Sequence, residues 1–112
     1  MPRRGDAEFA KDINEAIGRI KLYSNGMTYE AFLLDTKTQD AVIRNLEIIG
    51  EAVKRLSVEF RKGHKDVRWP DVAGMRDRLI HNYFGVNWEI VWDVIQTKLP
   101  GLKAALTTRE SP

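Results

Sequence analysis

Cysteine is absent from the 112-residue chain, which excludes disulfide scaffolds, zinc ribbons, thiol nucleophiles and iron–sulfur clusters. Long apolar runs are absent too. None approaches the ~18 residues that a bilayer crossing needs, so no membrane association is expected. Histidine is scarce, with only His64 and His81, and no spacing suited to metal ligation accompanies them. No metal and no cofactor are expected. Net charge is only +2, too little to imply a polyanionic partner, so any attraction to nucleic acid must come from local clustering. Nothing behind Met1-Pro2-Arg3-Arg4 resembles a signal peptide, and the chain reads as a small soluble cytoplasmic protein.

Hydrophobic residues make up 43% and charged residues 30% of the chain. That suffices for one core under a solvated surface, a single domain over residues 1–112 with its body at about 8–106. Apolar spacing near 3.6 dominates, which predicts an all-α up-and-down bundle of about five helices. Asp6 is a plausible N-cap for a helix whose stripe is Phe9, Ile13, Ala16, Ile17 and Ile20, stopped at Ser24-Asn25-Gly26. A short helix follows, with Thr28 as its cap. A long helix is expected from about Thr38 to Lys62, where Val42, Leu46, Ile49, Val53, Leu56 and Phe60 form a heptad-like seam. Ala41, Ile48 and Ala52 beside that seam give a second apolar face, as in a central helix or one shared with a second chain.

Gly63 closes the long helix, and 63–68 reads as a polar connection carrying His64 as an exposed loop histidine. Pro70 suits the first turn of a helix bearing Val72, Met75, Leu79 and Tyr83, broken at Gly85. Asn87 caps a helix from Trp88 to about Lys98. Pro100 opens a last one through Leu106, and Thr107–Pro112 reads as a frayed tail. Trp88 and Trp92 share an apolar face, where core or dimer packing is favoured over base stacking. Glu51 interrupts the apolar surface of the long helix, either as an ordinary exposed carboxylate or as an interface residue.

Polar chemistry concentrates in Met75-Arg76-Asp77-Arg78-Leu79-Ile80-His81-Asn82-Tyr83. Asp77 and His81 are four apart on one helix face, so Asp77 can orient the imidazole. Arg76 and His81, five apart, diverge by about 140° on an ideal helix. A distorted helix, a wrapping arginine or a two-fold axis would be needed to aim both at one atom. Read in isolation, Arg76, Asp77 and His81 form a structural salt-bridge cluster. Between Lys54 and Arg68 there are six basic residues (Lys54, Arg55, Arg61, Lys62, Lys65 and Arg68) against Glu59 and Asp66. That local excess either guides an RNA backbone or is a solvated helix end with cations placed favourably at a C-terminus.

Arg76-x4-His81-x-Tyr83 resembles the Arg-x(4–6)-His signature of the HEPN superfamily, and the tyrosine makes it similar to the HepT-like toxins in particular. Arg44–Lys54 and Tyr83–Asn87 with Val91-Trp92 agree with that pattern in the expected order. By composition, Arg and His at this spacing with Tyr two residues on would arise by chance about 0.005 times in such a chain. The resemblance implies a homodimeric, metal-independent endoribonuclease with its cleft at the two-fold axis. It further implies a toxin–antitoxin pair of type II or type VII character, in which a minimal nucleotidyltransferase antitoxin silences the toxin by moving AMP to Tyr83. Within it Arg76 stabilises charge, His81 is general acid or base, and Asp77 or Asn82 positions His81. The rival reading is a non-catalytic helical module that docks and regulates such a nucleotidyltransferase.

Overall fold

A computed structural model describes residues 5–74, 77 and 85–110, the last four by their backbone alone. Among them the elements are α1 (Asp6–Ser24), α2 (Tyr29–Leu33), α3 (Thr36–Arg55), α4 (Val58–Lys62), α5 (Trp69–Ala73), α6 (Trp88–Asp93), a π-helical turn (Val94–Lys98) and α7 (Leu99–Glu110). The all-α expectation holds.

α1 and α3 make the principal pairing of the fold. Asp6 meets Ser57 just beyond the end of α3, while Arg19 Nε donates to Asn45 Oδ1 at 2.7 Å. Partner numbers fall on one element as they rise on the other, so the two helices run antiparallel. The stripe foreseen on α1 is the buried one: Ala10, Ile13, Ala16, Ile17 and Ile20 face Val42, Leu46, Ile49 and Val53 of α3. Val91, Val94, Ile95, Leu99, Leu102 and Leu106 close the core from the C-terminal side. Each fully buried aliphatic side chain stabilises by roughly 1.5–3 kcal/mol. Phe32 of α2 is also fully buried, with its ring centroid 5.7 Å from that of Trp88 and 5.2 Å from that of Trp92. Packing is therefore the role of both tryptophans.

The turn after α1 shows why Gly26 is there. Asn25 has φ −58° and ψ 128°, Gly26 has φ 77°, and Met27 N–H donates to the Ser24 carbonyl at 3.0 Å. That is a type II turn, whose third position needs positive φ. Thr28 caps α2 as expected, accepting from Ala31 N–H at 3.1 Å. Asp35 caps α3 through Thr38 N–H at 2.9 Å. The hydrogen bonds from the Thr38 backbone and side chain hold the Asp35 carboxyl below its usual value. A depressed carboxyl contributes stability above its unfolded pKa, and that contribution is lost as pH falls through the folded one.

Several boundaries differ from the expectation, each for a physical reason. The N-cap of α1 is Gly5, whose N–H donates to Glu8 Oε1 at 3.2 Å, and Asp6 is already helical. Asp6 instead accepts from Ser57 N–H at 2.8 Å and Ser57 Oγ–H at 2.6 Å. Ser57 in turn caps α4 by accepting from Phe60 N–H at 3.0 Å. The long helix is thus cut at Leu56-Ser57, and Phe60 belongs to α4. α5 stops at Gly74, so no single helix runs from Pro70 through Val72 to Tyr83.

At the other end the last helix starts one residue before Pro100. The proline sits second in α7, directly after the π turn. Proline lacks the N–H for an i−4 bond and its ring presses on that carbonyl, so a widened turn upstream keeps the helical path unbroken. The backbone also stays helical through Glu110, where a frayed tail was expected from Thr107.

Asp6→Ala should lower stability by about 1–3 kcal/mol, because it leaves the part-buried Ser57 donors without their acceptor. Urea unfolding followed by tryptophan fluorescence measures this. A loss below roughly 0.5 kcal/mol, the size expected of a neutral surface change, would show that the clasp is not a structural tie.

Candidate active site and basic cleft

The described residues frame the motif rather than contain it. Arg76, His81, Asn82 and Tyr83 lie outside them, and of the motif only Asp77 is described, helical and exposed. What leads into the motif is well defined. α5 lies across α3, and a methyl group built on Gly50 would sit 3.6 Å from the Ala73 carbonyl oxygen, an ordinary contact. α3 is therefore covered by α1 on one side and by α5 on another. Ala52 is buried, while Ala41 and Ile48 are half-buried. Much of the second apolar face is thus used within a single chain. Glu51 is exposed, with its Oε2 3.8 Å from Lys54 Nζ, a pairing worth little at such exposure.

The six basic residues divide into two groups. Arg61, Lys62, Lys65 and Arg68 line one open cleft with Val58, Val67, Trp69, Pro70 and Asp71, at the junction of α4 and α5. Lys54 and Arg55, exposed on the last turn of α3, do not line it. Within the cleft Arg68 Nε is 3.0 Å from Asp71 Oδ2. Arg61 is half-buried, and its Nε is covered without a hydrogen-bond partner among the described residues.

His64 organises this junction, and the expectation of an exposed loop histidine is wrong. It is only 6% exposed. Its Nδ1 lies 2.9 Å from the Phe60 carbonyl oxygen, which can only accept, so Nδ1 carries the proton. The imidazole stacks on Phe60 at 4.2 Å between centroids and meets the edge of Trp69 at 6.3 Å. Trp69 is buried, and its Nε1–H is shared between the carbonyls of Arg61 and His64, each at 3.2 Å. Three rings and three hydrogen bonds thus fix the loop that presents the cations. The four-residue spacing of Phe60 and His64 is the one signal in the sequence that pointed this way. It was masked by the glycine between them.

Among the described residues no group of three or more His, Asp or Glu is gathered as a metal site would require, and no helix is long and apolar enough to cross a membrane.

Comparison with known proteins places the chain in context. The family described as "Ribonuclease HepT-like" matches residues 13–108, a span that takes in residues 76–83. A Methanocaldococcus jannaschii protein named "Putative RNase MJ0127" is 48% identical over 100 residues, covering 89% of this chain and 83% of its own length. A Thermococcus cleftensis protein named "Probable ribonuclease HepT" is 44% identical over 101 residues, covering 90% and 92%. A third, "Putative RNase TTE0752" of Caldanaerobacter subterraneus, is 51% identical over 78 residues and covers 70% of each chain. No solved structure matches the chain.

Proposed function

This chain belongs to the ribonuclease HepT-like family, and on that premise we propose that it is a metal-independent endoribonuclease toxin acting through Arg76 and His81. One observation carries the reading: the family match covers residues 13–108, a span that takes in Arg76-x4-His81-x-Tyr83. The chemistry suits those residue types. RNA brings its own nucleophile, the 2′-OH beside the scissile phosphate. When that oxygen attacks phosphorus, the bond to the 5′ oxygen breaks and a 2′,3′-cyclic phosphate and a free 5′-OH remain. His81 takes the proton from the 2′-OH or delivers one to the departing 5′ oxygen. Arg76 supplies a permanent planar charge to the crowded phosphorane-like transition state. Asp77 or Asn82 holds His81 in position.

Two further parts of the proposal rest on the family resemblance. The active form is a homodimer, since one straight helix would point Arg76 and His81 about 140° apart and a two-fold axis can bring one of each together. The regulator is a minimal nucleotidyltransferase antitoxin that transfers AMP to Tyr83. Toxin and antitoxin are both cytoplasmic. RNA contacts are sought among the six basic residues between 54 and 68.

Purified protein in excess EDTA should cleave single-stranded RNA to products with 2′,3′-cyclic phosphate ends, and should sediment as a dimer at micromolar concentration. Activity restored only by added metal would overturn the metal-independent reading. A monomer that cleaves at full rate would remove the two-fold axis from the site.

A further inference from the structure

We propose that the cleft between the end of α4 and the start of α5 is a backbone-phosphate subsite for single-stranded RNA, with Arg61, Lys62 and Lys65 as its working cations. The proposal rests on the ribonuclease reading for the identity of the ligand and on the cleft itself for its location.

Charge is the first argument. Among the described residues the cleft is lined by four cations and one carboxylate, Asp71, which is taken up by Arg68 at 3.0 Å. Among the described residues no acidic side chain pairs with Arg61, Lys62 or Lys65. Three such cations in one concavity repel one another, and a polyanion relieves that repulsion while releasing its own counterions.

Preorganisation is the second. Arg61 has a covered Nε with no partner among the described residues, so part of its desolvation cost is already met in the free protein. Its main-chain carbonyl is gripped by Trp69 Nε1–H, and the loop carrying Lys65 is pinned by the stack of His64 on Phe60. A surface cation on a free helix end needs none of this.

Backbone rather than base recognition follows from the rings. Among the described residues Trp69 is the one aromatic lining the cleft, and it is 5% exposed with its N–H spent on two carbonyls. The described lining thus offers no free aromatic face as a platform for stacking bases, and its cations suit contacts to phosphates, which carry no sequence information. Lys54 and Arg55 fall outside the subsite. The cleft is also close to the motif along the chain: Arg76 follows Asp71 by five positions, at most ~18 Å of backbone.

The test is fluorescence anisotropy with a labelled 2′-O-methyl RNA 12-mer, which lacks the nucleophilic hydroxyl and survives the enzyme, between 50 and 200 mM salt. Arg61→Gln/Lys65→Gln should weaken binding about tenfold at the lowest salt. It should also flatten the slope of log K against log salt by about 1.4, two single-strand contacts' worth. Lys11→Gln/Lys37→Gln, two exposed lysines away from the cleft, should change neither. If Arg61→Gln fails to fold, Lys62→Gln/Lys65→Gln, both exposed, carries the same expectation. A folded cleft variant with wild-type affinity and slope overturns the subsite even if the protein cleaves RNA. Binding lost in the cleft variant, with no cleavage of ordinary RNA by the wild type, would keep the subsite and overturn the catalytic reading.

Discussion

His81→Ala should lower the rate of RNA cleavage at least ~10²-fold, the lower end of what a positioned general acid or base contributes. Arg76→Ala should cost a comparable ~10²–10³-fold, the scale seen when one donor to a developing oxyanion is removed. Both losses belong in kcat, because both side chains are asked to act on charge and protons that move only in the transition state. The double variant should be scarcely worse than either single one, since groups acting on the same step are not additive. Arg76→Lys should recover only part of the rate, keeping a charge but losing the planar fork that spans two phosphate oxygens. None of these changes should unfold the protein. The core rests on α1, α3 and the α6–α7 run, all outside the motif, and tryptophan emission reports its integrity directly through Trp88 and Trp92 against Phe32. Unchanged cleavage by folded His81→Ala protein would remove His81 from the mechanism.

The contrast between that motif and the basic cleft shows what a sequence discloses. The Arg-His-Tyr spacing is a statement about residue types and is legible directly, although its geometry falls outside the described residues. The apolar stripes of α1 and α3 were equally legible, because burial repeats with the helical period and Ile13, Ile17, Leu46 and Ile49 all follow it. What local pattern could not reveal were the features decided by distant partners. The heptad seam runs through Val53, Leu56 and Phe60 without a fault, yet the helix ends at Arg55 because Asp6, 51 residues before Ser57, claims the Ser57 donors. His64 looks like a loop residue beside glycine and lysine, and only the ring of Trp69 closing over Phe60 takes it out of water. For the same reason six basic residues read as one cluster in the sequence, whereas the fold gathers four of them and leaves Lys54 with Glu51.

On the proposed function, Tyr83→Phe should retain full cleavage and escape silencing by the proposed nucleotidyltransferase partner and ATP, the largest regulatory effect expected of a single atom in this chain. The proposed modification is compatible with packing, since a tyrosine can bury its ring and leave its hydroxyl in water. Phenylalanine keeps the ring and removes only the acceptor oxygen. In the transfer the phenolic oxygen bonds to the α-phosphorus of ATP, the bond to the β-phosphate oxygen breaks, and pyrophosphate leaves with the phenolic proton passed to solvent or base. The product carries a bulky anionic phosphodiester two residues from His81 and seven from Arg76. On an ideal helix positions seven apart nearly align, and in that geometry the new phosphate would fall on the face of Arg76 and compete there with the phosphate of RNA. Silencing is then electrostatic as well as steric. Tyr83→Glu, with a charge but no nucleotide, should imitate it in part and lower cleavage several-fold. Intact mass after incubation with the partner and ATP decides the matter, on wild type and Tyr83→Phe side by side. One AMP on the wild type and none on the variant is the expected result. Equal adducts on both would move the acceptor to another residue, and a wild type that stays fully active once modified would show that the nucleotide does not reach the site of cleavage.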